Sequence, residues 1–130
     1  MATSSGGAQP AAAFNLAASI DAAIVDQRFR GTDRYLDLVT WNIRWFNSRD
    51  PRRVENMVTV LSALNADIIV LQEIELGSLD ELAVQLADAG VGLYKAAYGT
   101  SGGDQRIAML YDTEWVRAKD DIRVDRKSVV

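Results

Sequence analysis

A chain of 130 residues is long enough for one domain, and its 48% hydrophobic and 25% charged residues are typical of a globular protein. Lys and Arg number 14 against 18 Asp and Glu, and the resulting net charge of −4 argues against a generic basic nucleic-acid-binding protein. The sequence has no Cys and no His, which excludes disulfides, Cys or His metal sites and His-dependent catalysis. Any metal ion here must therefore be held by oxygen ligands.

The first 30 residues predict no targeting signal. Residues 1–10 are small and polar and predict a disordered tail. Residues 11–30 predict an accessory helix that packs on the domain, with a partner-binding helix as the alternative. No apolar stretch is long enough for a membrane span, so we expect a cytoplasmic protein.

The remaining pattern alternates strands and helices. Residues 36–43 are apolar on both faces and predict a central strand covered on both sides. The order strand, helix, strand, helix predicts a right-handed crossover and a parallel first pair of strands. After the first strand, the sequence predicts a helix with N-cap Asp50 and Pro51 in its first position, and then a strand over 67–73. A second helix is predicted from a capping box of Ser78 and Glu81 to Gly90. Short strands are predicted over 93–98, 106–111 and 115–119, with a turn over 99–103.

Two polar residues end the first two predicted strands. Asn42 and Glu73 should both emerge near the carboxyl edge of the sheet, where open α/β sheets bind ligands. Strict alternation places Glu73 on the face of Leu71, and Asn42 on the face of Leu38. A hard cation held by Glu73, with the Asn42 amide nearby to orient a phosphate, is one interpretation. The alternative is that both residues merely cap loops.

Three stretches, residues 36–46, 66–74 and 103–112, resemble the endonuclease/exonuclease/phosphatase family, to which pancreatic deoxyribonuclease belongs. The resemblance implies an α/β fold in which residues 35–124 form the N-terminal half of a four-layer α/β/β/α sandwich, with a mixed sheet and flanking helices. It implies catalytic roles for Asn42 and Glu73, and both residues as ligands of a catalytic Mg²⁺ or Mn²⁺. Arg106 is implied either in phosphate binding or in a structural ion pair.

The departures from the family pattern bear on activity. The family's later motifs, a catalytic His, an Asp-x-Asn and a Ser-Asp-His, have no counterpart here, since the chain has no His. We therefore expect an inactive N-terminal fragment of a Mg²⁺-dependent phosphoesterase. The alternatives are a non-catalytic binding module on the same half-fold and, third, a plain structural domain. DNA, RNA, phospholipid and inositol phosphates stay open as substrates, although Glu75, where some deoxyribonuclease-like members carry Arg, weakens the inference of duplex DNA.

A half-domain would leave one sheet face without its partner layer, so we expect self-association through that face. Residues 125–130 predict a non-native tail, because their sequence matches a translated sequencing-library adapter; the alternative is an ordinary exposed tail.

Overall fold

The computed structural model describes residues 24–119. The predicted tails over 1–10 and 125–130 lie outside these residues, as does most of the predicted accessory helix over 11–30. A short 3₁₀ helix, Gln27–Phe29, precedes the sheet. It is followed by β1 (Leu38–Phe46), α1 (Pro51–Leu64), β2 (Ile68–Ile74), α2 (Ser78–Asp88), β3 (Tyr94–Tyr98) and β4 (Arg106–Asp112).

The four strands form one mixed sheet in the order β1-β2-β4-β3. β1 and β2 are parallel, as predicted, while β4 is antiparallel to both β2 and β3. The prediction of a central first strand is wrong, because β1 lies at the sheet edge and Leu38 on its outer face is 60% exposed. Although β1 has apolar residues on both faces, the described part of the chain buries only one of these faces.

The start of α1 agrees with the prediction. Pro51 occupies the first position, where its missing N–H costs nothing, and the Asp50 side chain accepts a hydrogen bond from the backbone N–H of Arg52 at 3.0 Å. The helix ends at Asn65, which has left-handed backbone geometry with φ of 48°. Apolar residues with helical spacing on its inner face are buried: Val54, Met57 and Leu61.

The start of α2 differs from the predicted capping box. Gly77, with φ of 84°, is the N-cap, and Ser78 is already the first helical residue. The Ser78 hydroxyl donates to the backbone carbonyl of Glu75 at 2.6 Å, so it caps no helical N–H. The end is as predicted, since Gly90 has φ of 73° and the next residue, Val91, donates its N–H to the carbonyl of Leu86 at 2.9 Å.

The apolar core lies between the two helices and one face of the sheet. Its fully buried members come from every layer: Phe46, Leu61, Ile69, Leu71, Ile74, Leu79, Leu82, Leu86 and Leu110. The opposite face, which we call the open face, carries Leu38, Thr40, Val70, Ile107 and Met109. Within residues 24–119 no helix covers this face, and the four-layer sandwich stays a prediction.

The last predicted strand, over 115–119, is wrong. After β4 the chain turns, and the N–H groups of Trp115 and Val116 both donate to the carbonyl of Asp112, at 3.1 and 2.8 Å. These local bonds favour a tight turn over strand pairing. Among the described residues no helix is long and apolar enough to cross a membrane.

Candidate active site

The parallel pairing of β1 with β2 is interrupted at the carboxyl edge of the sheet. The register runs regularly to Asn42, opposite Gln72, and resumes only at Phe46, opposite Ile74. Residues 43–45 of β1 thus lie opposite Glu73 alone, and we call them the bulge segment. A bulge of this kind redirects side chains that strict alternation would send elsewhere.

Left-handed backbone geometry accompanies the bulge. Arg44, Trp45 and Glu73 have φ of 52°, 49° and 62°. Such geometry costs a non-glycine residue roughly 1–2 kcal/mol. Of the four non-glycine residues with positive φ in the described part of the chain, three lie here and the fourth, Asn65, ends α1. Strain gathered in one place is typical of functional sites.

The bulge brings the two predicted site residues together. The Asn42 side-chain amide donates from Nδ2 to Glu73 Oε1 at 3.0 Å, and the backbone N–H of Trp45 donates to Glu73 Oε2 at 3.2 Å. Asn42 Oδ1 in turn accepts from the backbone N–H of Arg44 at 3.0 Å. Strict alternation does not hold at the end of β2, because Glu73 has a left-handed φ of 62°, and its carboxylate meets the Asn42 amide.

The donor set fits a hard divalent cation that keeps most of its water. Each Glu73 oxygen accepts one hydrogen bond, and an ionised carboxylate has about four acceptor sites. Mg²⁺ is commonly held by one or two carboxylates, with water and substrate phosphate completing its shell. Residues 24–119 hold no cluster of three or more His, Cys, Asp or Glu that could enclose an ion. Glu73 thus fits an open, water-rich site better than a closed cage.

A second carboxylate near this edge is already neutralised. Arg49 forms a bidentate ion pair with Glu75, with Nη1–Oε1 at 2.6 Å and Nη2–Oε2 at 3.0 Å. These hydrogen bonds, together with the charge of Arg49, hold the pKa of Glu75 below its usual range although partial desolvation opposes them. Glu73 forms no ion pair with Arg or Lys among the described residues. Glu73 therefore differs from Glu75 in having no cationic side chain within residues 24–119 that neutralises it.

Arg106 lies at the same edge, since it pairs with Ile74, the neighbour of Glu73. Its guanidinium donates from Nε to the carbonyl of Gly103 and from Nη1 to that of Gly99, both at 2.9 Å. Arg106 therefore ties the two ends of the β3–β4 turn together and forms no ion pair within residues 24–119. Phosphate binding by Arg106 stays a prediction.

Sequence reasoning missed two contributors to this edge. The backbone N–H of Trp45 holds Glu73, and Arg49 neutralises Glu75. A backbone donor leaves no mark in residue type, and left-handed geometry at Trp45 is not expected of a bulky residue. The Arg49–Glu75 pair spans 26 residues and forms only once the sheet edge is assembled.

Comparison with known proteins identifies the family. A family model described as Endonuclease/Exonuclease/phosphatase family matches residues 39–127. Neither the curated proteins nor the solved structures gave a match. The matched region includes Asn42, Glu73 and Arg106 and covers more than half of the chain. The chain therefore belongs to the Endonuclease/Exonuclease/phosphatase family.

Proposed function

We propose that this chain contributes a Mg²⁺ or Mn²⁺ site to a phosphoesterase that cleaves phosphodiester or phosphomonoester bonds. The observation that carries the proposal is the orientation of the Glu73 carboxylate by Asn42 and Trp45 at the carboxyl edge of the sheet. A half-buried carboxylate is costly unless it is paired or binds a cation, and Glu73 forms no ion pair with Arg or Lys among the described residues.

Each residue has a defined part in this proposal. Glu73 would hold the ion, which when bound neutralises phosphate charge and lowers the pKa of its water. Asn42 is exposed and orients the Glu73 carboxylate through its side-chain amide. We propose that Asn42 is also a second metal ligand or a phosphate contact. Arg106 would contact a substrate phosphate, since only two of its five N–H groups are engaged by loop carbonyls.

We further propose that the chain alone does not hydrolyse phosphate esters. The chain has no His to act as a general base, Glu73 would be engaged as a metal ligand, and Glu75 is paired with Arg49. Each missing transition-state donor costs ~3 kcal/mol or more. In an assay with bis(p-nitrophenyl) phosphate and Mg²⁺, we expect no turnover above the background rate. Turnover that EDTA and Glu73→Gln both abolish would overturn this expectation.

A non-catalytic binding module is the second candidate, and the absence of His favours it. Such a module would still bind phosphate esters through the same edge of the sheet, with DNA and RNA among its ligands.

We also propose that the chain self-associates through the open face. Leu38 and Ile107 on this face are 60% and 58% exposed, and a second copy of the chain would cover them.

Calorimetric titration with Mg²⁺ tests the metal site directly. We expect saturable binding by the unaltered chain and its loss in Glu73→Gln. Glu55→Gln is the matched control, because Glu55 is exposed on α1 and the substitution removes the same charge. Equal heats from all three proteins would refute the role of Glu73.

A further inference from the structure

Arg53, in the first turns of α1, contacts every residue of the bulge segment. Its guanidinium donates to the carbonyls of Ile43 and Arg44 from Nη2, at 2.8 and 2.5 Å. It donates from Nη1 to the carbonyl of Trp45 at 2.6 Å. The same group lies 5.5 Å from the centroid of the buried Phe46 ring. One side chain thus binds three successive carbonyls.

Two peptide units connect this guanidinium to the candidate site. The carbonyl of Ile43 and the N–H of Arg44 belong to one planar unit, whose carbonyl accepts from Arg53 and whose N–H donates to Asn42. The next unit does the same for Glu73, through the carbonyl of Arg44 and the N–H of Trp45. A cation at the carbonyl end of each unit strengthens the hydrogen bond at its N–H end.

We propose that Arg53 is a positioning residue for the Asn42–Glu73 pair. It holds both peptide units of the bulge in the orientation that directs their N–H groups at Asn42 and Glu73. The claim that Arg53 strengthens metal binding rests on the proposed function. The claim that Arg53 holds the bulge segment does not. Arg suits this part better than Lys, because a planar guanidinium reaches several acceptors at once.

Amide hydrogen exchange measured by NMR on the full chain tests the positioning itself. In Arg53→Met we expect the Arg44 and Trp45 amides to exchange about tenfold faster or more, because the bonds that hold their peptide units are lost. The amide of Leu71, in the buried centre of β2, should keep its rate, which separates a local change from unfolding. In Arg53→Lys the exchange rates of the Arg44 and Trp45 amides should lie between those of the unaltered chain and those of Arg53→Met.

Arg52→Met is the matched control. Arg52 is the preceding residue on α1, is exposed, and its side chain forms no hydrogen bond or ion pair among the described residues. It should leave both amides at their original exchange rates. Unchanged exchange at Arg44 and Trp45 in Arg53→Met would overturn the proposal.

A Mn²⁺ titration of the same proteins tests whether the positioning by Arg53 affects metal affinity. Loss of a side chain that orients a metal ligand commonly weakens affinity by about tenfold or more, so we expect that loss in Arg53→Met and not in Arg52→Met. Faster exchange with unchanged Mn²⁺ affinity would overturn the claim that positioning serves the metal. If the unaltered chain binds no Mn²⁺, the proposed function fails and exchange alone decides the role of Arg53. If Arg53→Met does not fold, Arg53→Lys is judged by the same two measurements.

Discussion

Replacing Asn42 with Asp probes the contact on which the site depends. The substitution keeps the shape of the side chain but puts an oxygen where the amide nitrogen now lies 3.0 Å from Glu73 Oε1. Two charges at that distance repel by about 1.4 kcal/mol in water and about 5.5 kcal/mol at an effective dielectric constant near 20. Because Asn42 is exposed, the lower half of this range applies, and loss of a charge-assisted hydrogen bond adds to it. We expect a loss of about 2–4 kcal/mol in the free energy of unfolding.

Urea denaturation at neutral pH and fixed protein concentration measures this loss as a shifted midpoint with an unchanged slope. Asn56→Asp is the control, because Asn56 is exposed on α1 and its side chain forms no hydrogen bond among the described residues. Two adjacent carboxylates should bind Mg²⁺, so a hundredfold excess over the dissociation constant should restore about 2.7 kcal/mol in Asn42→Asp. A stability of Asn42→Asp within about 0.5 kcal/mol of the unaltered chain without metal would refute the contact.

Three further predictions concern the core, the open face and two partly buried tyrosines. In urea denaturation of the chain at concentrations low enough to keep it monomeric, Leu71→Ala should cost about 2–5 kcal/mol and Leu38→Ala under about 0.5 kcal/mol, since only Leu71 is fully buried. Equal costs would refute a sheet covered on one face. In sedimentation experiments the chain should self-associate, and the double variant Leu38→Thr, Ile107→Thr should associate less; a monomer at all concentrations would contradict this. Burial raises the pKa of Tyr94 and of Tyr98 to about 12, above the ordinary value of 10.0. Their stabilisation is therefore complete below pH about 10 and is lost as pH rises toward about 12, a decline that should be shallower in Tyr94→Phe and Tyr98→Phe.

Periodic residues made most of the helices and strands predictable. The three- and four-residue spacing in α1 and the apolar run of β2 each reflect burial of one repeating face, and local rules for Asp50, Pro51 and Gly90 located helix ends. These features depend on neighbours in sequence, so they are visible without the fold.

The errors arose where a residue's environment is set by distant parts of the chain. The edge position of β1 depends on how β4 inserts between β2 and β3, which no strand shows by itself. Ser78 fitted a capping-box pattern with Glu81, but Gly77, with φ of 84°, is the N-cap and Ser78 is the first helical residue. The meeting of Asn42 with Glu73 depends on left-handed geometry at three non-glycine residues, which residue type does not encode.

The most direct test of the central claim, that Glu73 and Asn42 form a divalent metal site, is a site-resolved Mn²⁺ titration followed by NMR. Bound Mn²⁺ broadens nearby signals, so the Asn42 side-chain amide and the Trp45 backbone amide should broaden first, while amides in α2 stay sharp. Glu73→Gln should abolish the effect, and Glu55→Gln should retain it. Uniform broadening over the surface, or broadening that persists at Asn42 in Glu73→Gln, would contradict the account.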